Sequence, residues 1–242
     1  MTSFDNYDRE KLYKLIFLGV VNAKKLPKNL WKKTFSVFFK AMQENIDYNF
    51  VDKKLVTELS KNVYLFSGAK TEVQINEMIG RLVDGDKVLT FNEFRKKADE
   101  VFDTFNVNYL RAEYNCAVGQ SQMVSSWADI YSNTTQFPYL RYDAVDDART
   151  SDICRPLDGI TLKFDDPFWS KYSPLNHFNC RCRIEKLSIF DEPELSKKET
   201  VLTKTKDAKI SDEFLINPYR EKVIFSKKHP YFQESKEYKN QL

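Results

Sequence analysis

Histidine and cysteine are scarce in this chain, with two and four copies in 242 residues. No stretch approaches the ~18–20 uninterrupted apolar residues that a membrane span needs. The most apolar N-terminal piece, residues 15–21, is too short to cross, and no small-residue cleavage site stands in a suitable place after it. No signal peptide is therefore expected, and the expected compartment is reducing cytosol, where disulfides rarely persist. Neither charge sign dominates: Lys+Arg is 38 and Asp+Glu 35, a formal +3. That balance argues against wholesale coating of DNA. There is no P-loop, no dinucleotide glycine motif and no Ser/His/Asp set with a motif to support it. The His-x-Glu and Pro-Cys-x-x-Cys pair of zinc deaminases is also missing.

Proline is unevenly placed. Of 8 prolines only Pro27 precedes Pro138. Proline breaks helix interiors, so the stretch between them is free to be helical. The pattern predicts helices over 8–21, 30–45 and 52–65. Ser67-Gly68 reads as punctuation, and Thr71 with Gln74 as a capping box opening a helix through Leu82. Asp84-Gly85-Asp86 reads as a turn, without the carboxylate spacing of a calcium loop. A further helix is predicted over 90–104, capped by Thr90 or Asn92. The best pattern follows: Leu110, Tyr114, Ala117, Ser121, Val124, Ala128 and Tyr131 recur on one face of a long helix. Packing within the chain is favoured over a partner-binding seam.

After Pro138 the texture changes. Strands are predicted over 139–145, 160–164 and 180–187, joined by long irregular loops. Loops of that length need a staple or a function. From Ser188 the chain is rich in Lys, Glu and Ser, and reads as an extended arm, partly disordered alone. Its anchors are Phe214-Leu215-Ile216, Val223-Ile224-Phe225 and Pro230-Tyr231-Phe232. The expected class is α+β: a helical N-terminal region (1–106), a small α+β domain (107–187) and the arm (188–242). The 42% hydrophobic content suffices for one large core or two smaller ones.

The chemistry concentrates in His177-Phe178-Asn179-Cys180-Arg181-Cys182, with Cys154 upstream. Zinc takes four ligands from thiolate and imidazole, and Cys154, His177, Cys180 and Cys182 supply four. A C-x-C pair on a strand puts both sulfurs on one face, with His177 arriving from the preceding loop. Two alternatives stay open: reduced thiols with no metal, and a disulfide from Cys154 to Cys180 or Cys182. Cys116, inside the long helix, reads as a buried small hydrophobe, and His229 as a surface residue. Asp146, Asp147, Asp152, Asp158, Asp165 and Asp166 gather around the thiols. Acid/base work or a metal-dependent nuclease site is one reading. Turn and cap chemistry, with Asp147 paired to Arg149, is the favoured one.

At these residues the chain resembles the phage Mu protein F-like family of head morphogenesis (minor capsid) proteins. The likeness runs through Arg111-Ala112-Glu113-Tyr114-Asn115, Trp127, Ile130, Pro138 to Tyr142, Asp147 to Thr150, Cys154, Leu157-Asp158-Gly159, Asp165 to Trp169 and Pro174 to Cys182. Versions from Bacteroidetes phages and prophages share the tail Ile224-Phe225 and His229-Pro230-Tyr231-Phe232. The resemblance implies a non-enzymatic structural or assembly protein of the virion head, made in the bacterial cytoplasm. Its implied partners are the portal and the major capsid protein, with packaged DNA a further candidate and no membrane. In many members the Cys154 position is His, and both side chains bind zinc. The His177 position is often Gly; if His177 is not a ligand, Asp158 or a water would complete the shell. The runner-up functions are a capsid-carried metal-dependent nuclease or toxin-like effector, and a DNA-binding module.

Overall fold

A computed structural model describes residues 4–145, 147–238 and 241. Five helices build the N-terminal body: α1 (Arg9–Phe17), α2 (Lys28–Gln43), α3 (Lys53–Gly80), α4 (Phe91–Asp103) and α5 (Tyr109–Ser132). Asp8 and Asp52 cap α1 and α3 by accepting backbone N–H bonds. Thr90 and Glu93 form the capping box of α4, so Thr90 is the cap. A small hairpin, β1 (Val83–Asp84) and β2 (Lys87–Val88), turns at Gly85, whose φ of 60° suits glycine.

α3 is one continuous helix through Ser67-Gly68, and Thr71 lies in its interior, bonded to the Ser67 carbonyl. The expected break and capping box are therefore absent. Gly68 has a packing reason: a Cβ there would stand 2.5 Å from the Tyr238 ring. The glycine is the notch that lets the C-terminal segment lie on α3.

α4 and α5 are joined by a π-helical turn, Thr104–Asn108, which shifts the helical register without ending the rod. α5 then serves two cores. Leu110, Ala117, Val124 and Ala128 face the N-terminal helices. Met123, Trp127 and Ile130 face a second core under the sheet. The face expected from the 4,3 spacing is buried within the chain, save that Tyr114 is partly buried and Tyr131 at its end is exposed. Cys116 is buried there too, and burial pushes its thiol up to about 12.

The sheet is antiparallel in the order β4-β3-β5, with β3 Tyr139–Asp143, β4 Thr161–Lys163 and β5 Arg183–Leu187. β3 is central: Leu140 faces Leu162 on one side and Lys186 on the other. Leu140, Tyr142, Leu157, Ile160 and Trp169 form the second core, which the long loops close. β5 begins at Arg183, so Cys180 and Cys182 precede the strand rather than lie on it.

Past α6 (Lys198–Asp207), the C-terminal arm folds back on the chain's own helices through α7 (Pro218–Glu221) and α8 (Pro230–Glu234). The expected anchors do the docking: Phe214, Ile216, Ile224, Phe225, Tyr231 and Phe232 are all buried. Phe225 stacks on Phe66 at 3.6 Å between ring centres. α3 also meets the arm with buried polar groups. Asn62 accepts from the N–H groups of Ile224 and Phe225 and donates to the Phe225 carbonyl. Glu72 accepts from the Ser235 hydroxyl and the Lys236 N–H. Lys70 bonds Glu113 and the Phe105 carbonyl, and the Tyr231 hydroxyl donates to Glu113. His229, read as a surface residue, is buried against Phe66. The arm had too few apolar residues to order itself, but α3 supplies the partners it lacks.

Candidate metal centre

The loop between β3 and β4 delivers Cys154. After Tyr142 the chain leaves the sheet, and a short turn carries Cys154, whose N–H bonds the Ser151 carbonyl. A 3-10 turn, Arg155–Leu157, follows. Gly159, at φ 71°, then hands the chain back with its N–H on the Tyr142 carbonyl. Cys154 is fully buried in the second core.

The second loop delivers His177 and Cys180 in one tight turn. The Cys180 N–H reaches the His177 carbonyl at 3.2 Å, and Asn179 takes the left-handed conformation at φ 59°. Asn tolerates that conformation because its side chain bonds locally. Here Asn179 also accepts from Asn115 of α5. Further upstream, Leu175 packs against Gly119 of α5, where a Cβ would collide with it. The glycine lets the whole 173–179 loop seat on the helix.

These two loops, 26 residues apart at their thiols, meet. Cys154 Sγ and Cys180 Sγ lie 3.6 Å apart. One ligand atom from each of Cys154, His177 and Cys180 falls within 4.8 Å of the others, a group that could hold a metal ion. Two thiolates on one tetrahedral zinc, each at ~2.3 Å, stand ~3.8 Å apart, close to the spacing found. A disulfide needs ~2.05 Å, and all four cysteines are free thiols. Cys182 is not one of the three that converge; it lines the small cavity beside them with Cys154 and His177. His177 bonds the Phe178 carbonyl through Nδ1 at 2.7 Å. With the proton on Nδ1, Nε2 is left as a ligand atom, the usual outer bond of a metal-binding histidine.

Electrostatics point the same way. Hydrogen bonds from Cys154 and Cys182, and then His177, hold the Cys180 thiol well below its ordinary range against the opposing effect of burial. Cys154 is pushed far up, first by its bond with Cys180 and then by Cys182 and burial. His177 is raised by its bond to Cys180. A divalent cation is the partner that lets several thiols ionise together.

Four residues support the site that the spacing of cysteines does not reveal. The Tyr142 hydroxyl donates to Asn176 at 2.7 Å. Arg181, between the two cysteines, grips Asp147 through two nitrogens. All four lie in stretches that carry the family resemblance, but nothing in their spacing pairs Arg181 with Asp147 or Tyr142 with Asn176. The cavity beside the thiols, lined by Cys154, His177, Arg181 and Cys182 among others, holds about 20 Å³. That is room for one ion or water and no substrate.

The acidic residues are spent elsewhere, as turn and cap chemistry predicts. Asp158 accepts from the Ala144 N–H and is not one of the residues that converge. Asp166 caps the turn at Phe168. Asp147 takes Arg181 at close range and Arg149 at 3.8 Å. Asp152 is solvent-exposed, near Arg155. Asp146 lies outside the described residues.

With this geometry in place, the comparisons with known proteins gain a location. Residues 80–185 match the family described as "Phage Mu protein F like protein". Over this stretch the chain is similar to the phage Mu F-like family. The Mu F-like region contains all four candidate ligands. The chain is 42% identical over 64 residues to the Mu-like prophage FluMu F protein of Haemophilus influenzae, covering 26% of this chain and 16% of that protein. It is 33% identical over 82 residues to the putative capsid assembly protein F of Escherichia phage Mu, covering 34% of this chain and 19% of that protein. The chain therefore spans less than a fifth of either curated relative. No solved structure matches. Among the described residues no helix is long and apolar enough to cross a membrane.

Proposed function

We propose that this chain is a phage minor head protein acting in head morphogenesis, a structural and assembly component near the portal, and that Cys154, His177, Cys180 and Cys182 hold one structural zinc. One observation carries the reading. Inside the region that matches the Mu F-like family, two thiols and an imidazole from separate loops come within 4.8 Å of one another. Bound zinc supplies a fixed junction of four bonds and no redox chemistry. The chain's own residues do the rest: Tyr142 and Asn176 orient the Cys154 loop, and the Arg181–Asp147 clasp closes it.

In this reading the metal reinforces the second core where the long loops close it. The stiffened lobe is the surface that docks on portal or major capsid protein, in the virion head, after assembly in the host cytoplasm. The site's size favours scaffold over nuclease, because a catalytic zinc keeps an open position for substrate.

Co-expression with tagged portal protein and, separately, with tagged major capsid protein tests the function. Retention of this chain on either one at moderate salt is expected. Retention on neither overturns the reading.

A further inference from the structure

An aromatic-walled cavity lies where the π-helical turn meets the C-terminal arm. It holds about 500 Å³, and Phe105, Tyr109, Phe178 and Tyr231 line it. Glu77, Glu113, Glu213 and Glu234 line it as well, and no Lys or Arg does. In a chain with a net charge of +3, four carboxylates around one aromatic cavity are a local inversion of sign. Glu113 is committed to Lys70 and Tyr231. Glu77 pairs with Arg81 at 3.3 Å across the exposed surface of α3, a contact worth little in water. Glu213 and Glu234 have no ion pair among the described residues.

Two independent features say that the space is a receptor. The first is the π-helical turn itself, which places Phe105 and Asn108 on the wall; such turns recur at functional sites. The second is His229. It is only 7% exposed, yet it lines the cavity. Its Nδ1 accepts the Tyr231 N–H. Burial, reinforced by the charge of Lys70, keeps the ring neutral, so the proton sits on Nε2. That N–H makes no hydrogen bond within the described residues and offers a donor to an occupant.

We propose that this cavity takes an arginine side chain presented by a partner polypeptide. Aromatic faces attract a cation, and a planar guanidinium both stacks on rings and pairs bidentately with carboxylates, which lysine does not. The His229 donor selects the source: a peptide brings a backbone carbonyl to accept it, whereas a free polyamine has no acceptor. The occupant is therefore a basic segment of another protein. The proposal stands independently of the metal and of the family.

The probe is the blocked tripeptide Ac-Gly-Arg-Gly-NH2, titrated into the full chain and followed by NMR. Saturable shifts at Tyr109, Phe178, Tyr231 and His229 are expected. The citrulline analogue, of the same shape but uncharged, is expected to bind at least tenfold more weakly. Glu213→Gln/Glu234→Gln, both at the rim, is expected to lower affinity for the arginine peptide tenfold while leaving the urea midpoint unchanged. Equal binding of the citrulline peptide, shifts mapping elsewhere, an unaffected double variant, or tighter binding of spermidine than of the peptide overturns the proposal.

Discussion

Arg181 holds Asp147 through two nitrogens, at 2.6 and 2.9 Å, so the residue between Cys180 and Cys182 pins the loop that delivers Cys154. The thiol cluster is thereby closed from outside by a planar fork meeting a carboxylate, the geometry arginine is built for. The Arg181 bonds first, and the Arg149 N–H second, hold the Asp147 carboxyl well below the usual carboxylate range. A depressed folded value means a contribution that is complete above the unfolded pKa, ~3.9, and lost as pH falls through the folded value. Asp147 is therefore expected to stay ionised at pH 3 in a carboxyl NMR titration, and Arg181→Gln to return it toward the ordinary range. Identical titrations in the two proteins would contradict the clasp.

Lys70 and Glu113 form an ion pair from which water is excluded, with side-chain exposures of 0% and 3%. Burial lowers the Lys70 pKa, and Glu113 opposes that shift. Removing one partner strands the other charge, so Lys70→Met is expected to cost ~3–5 kcal/mol by urea unfolding. The double variant Lys70→Met/Glu113→Leu is expected to recover much of that loss. A double variant as unstable as the single one would show that the pair is not the reason Lys70 matters.

Gly68 is a notch for Tyr238, and the sign of a substitution there depends on the ring. Gly68→Ala gains up to ~1 kcal/mol of helix propensity but forces a Cβ to within 2.5 Å of the Tyr238 ring. A net loss of ~1–3 kcal/mol is expected from the crowding. In a Tyr238→Ala background the same change is expected to be neutral or stabilising. A double-mutant cycle with no coupling would remove the notch from the account.

His229 makes stability pH-dependent. Burial, then the charge of Lys70, push its pKa down to about 3, against ~6.5 when unfolded. The unfolded chain takes up a proton that the folded one refuses. Stability from this group is thus complete above pH ~6.5 and falls by up to ~1.4 kcal/mol per pH unit below it. Between pH 7 and 5 the wild type is expected to lose ~2 kcal/mol more than His229→Asn, which keeps an acceptor for the Tyr231 N–H. Parallel pH profiles would refute this.

Much of the fold was legible because local signals and tertiary packing agreed. Thr90 caps α4 as its spacing with Glu93 suggests, and the 4,3 pattern from Leu110 to Ala128 marks the buried face of α5. The convergence of Cys154 with His177 and Cys180 was legible from residue type, because few other groups share that chemistry. Two kinds of information were hidden. Gly68 reads as a helix breaker, and only the Tyr238 ring, 170 positions away, explains it. Asn62 and Glu72 drew no reading from the sequence, yet they bond the backbone of the C-terminal arm directly. A polar residue bonded across such a distance leaves no periodic trace. The strand expected from Cys180 begins instead at Arg183, because the Asn179 turn carries the thiols.

Metal analysis of the purified chain, beside a Cys180→Ser/Cys182→Ser variant of the same preparation, tests the central claim most directly. One zinc per wild-type chain, and little or none in the variant, is the predicted result. Equal metal content in both, or none in either after purification without chelator, would contradict it.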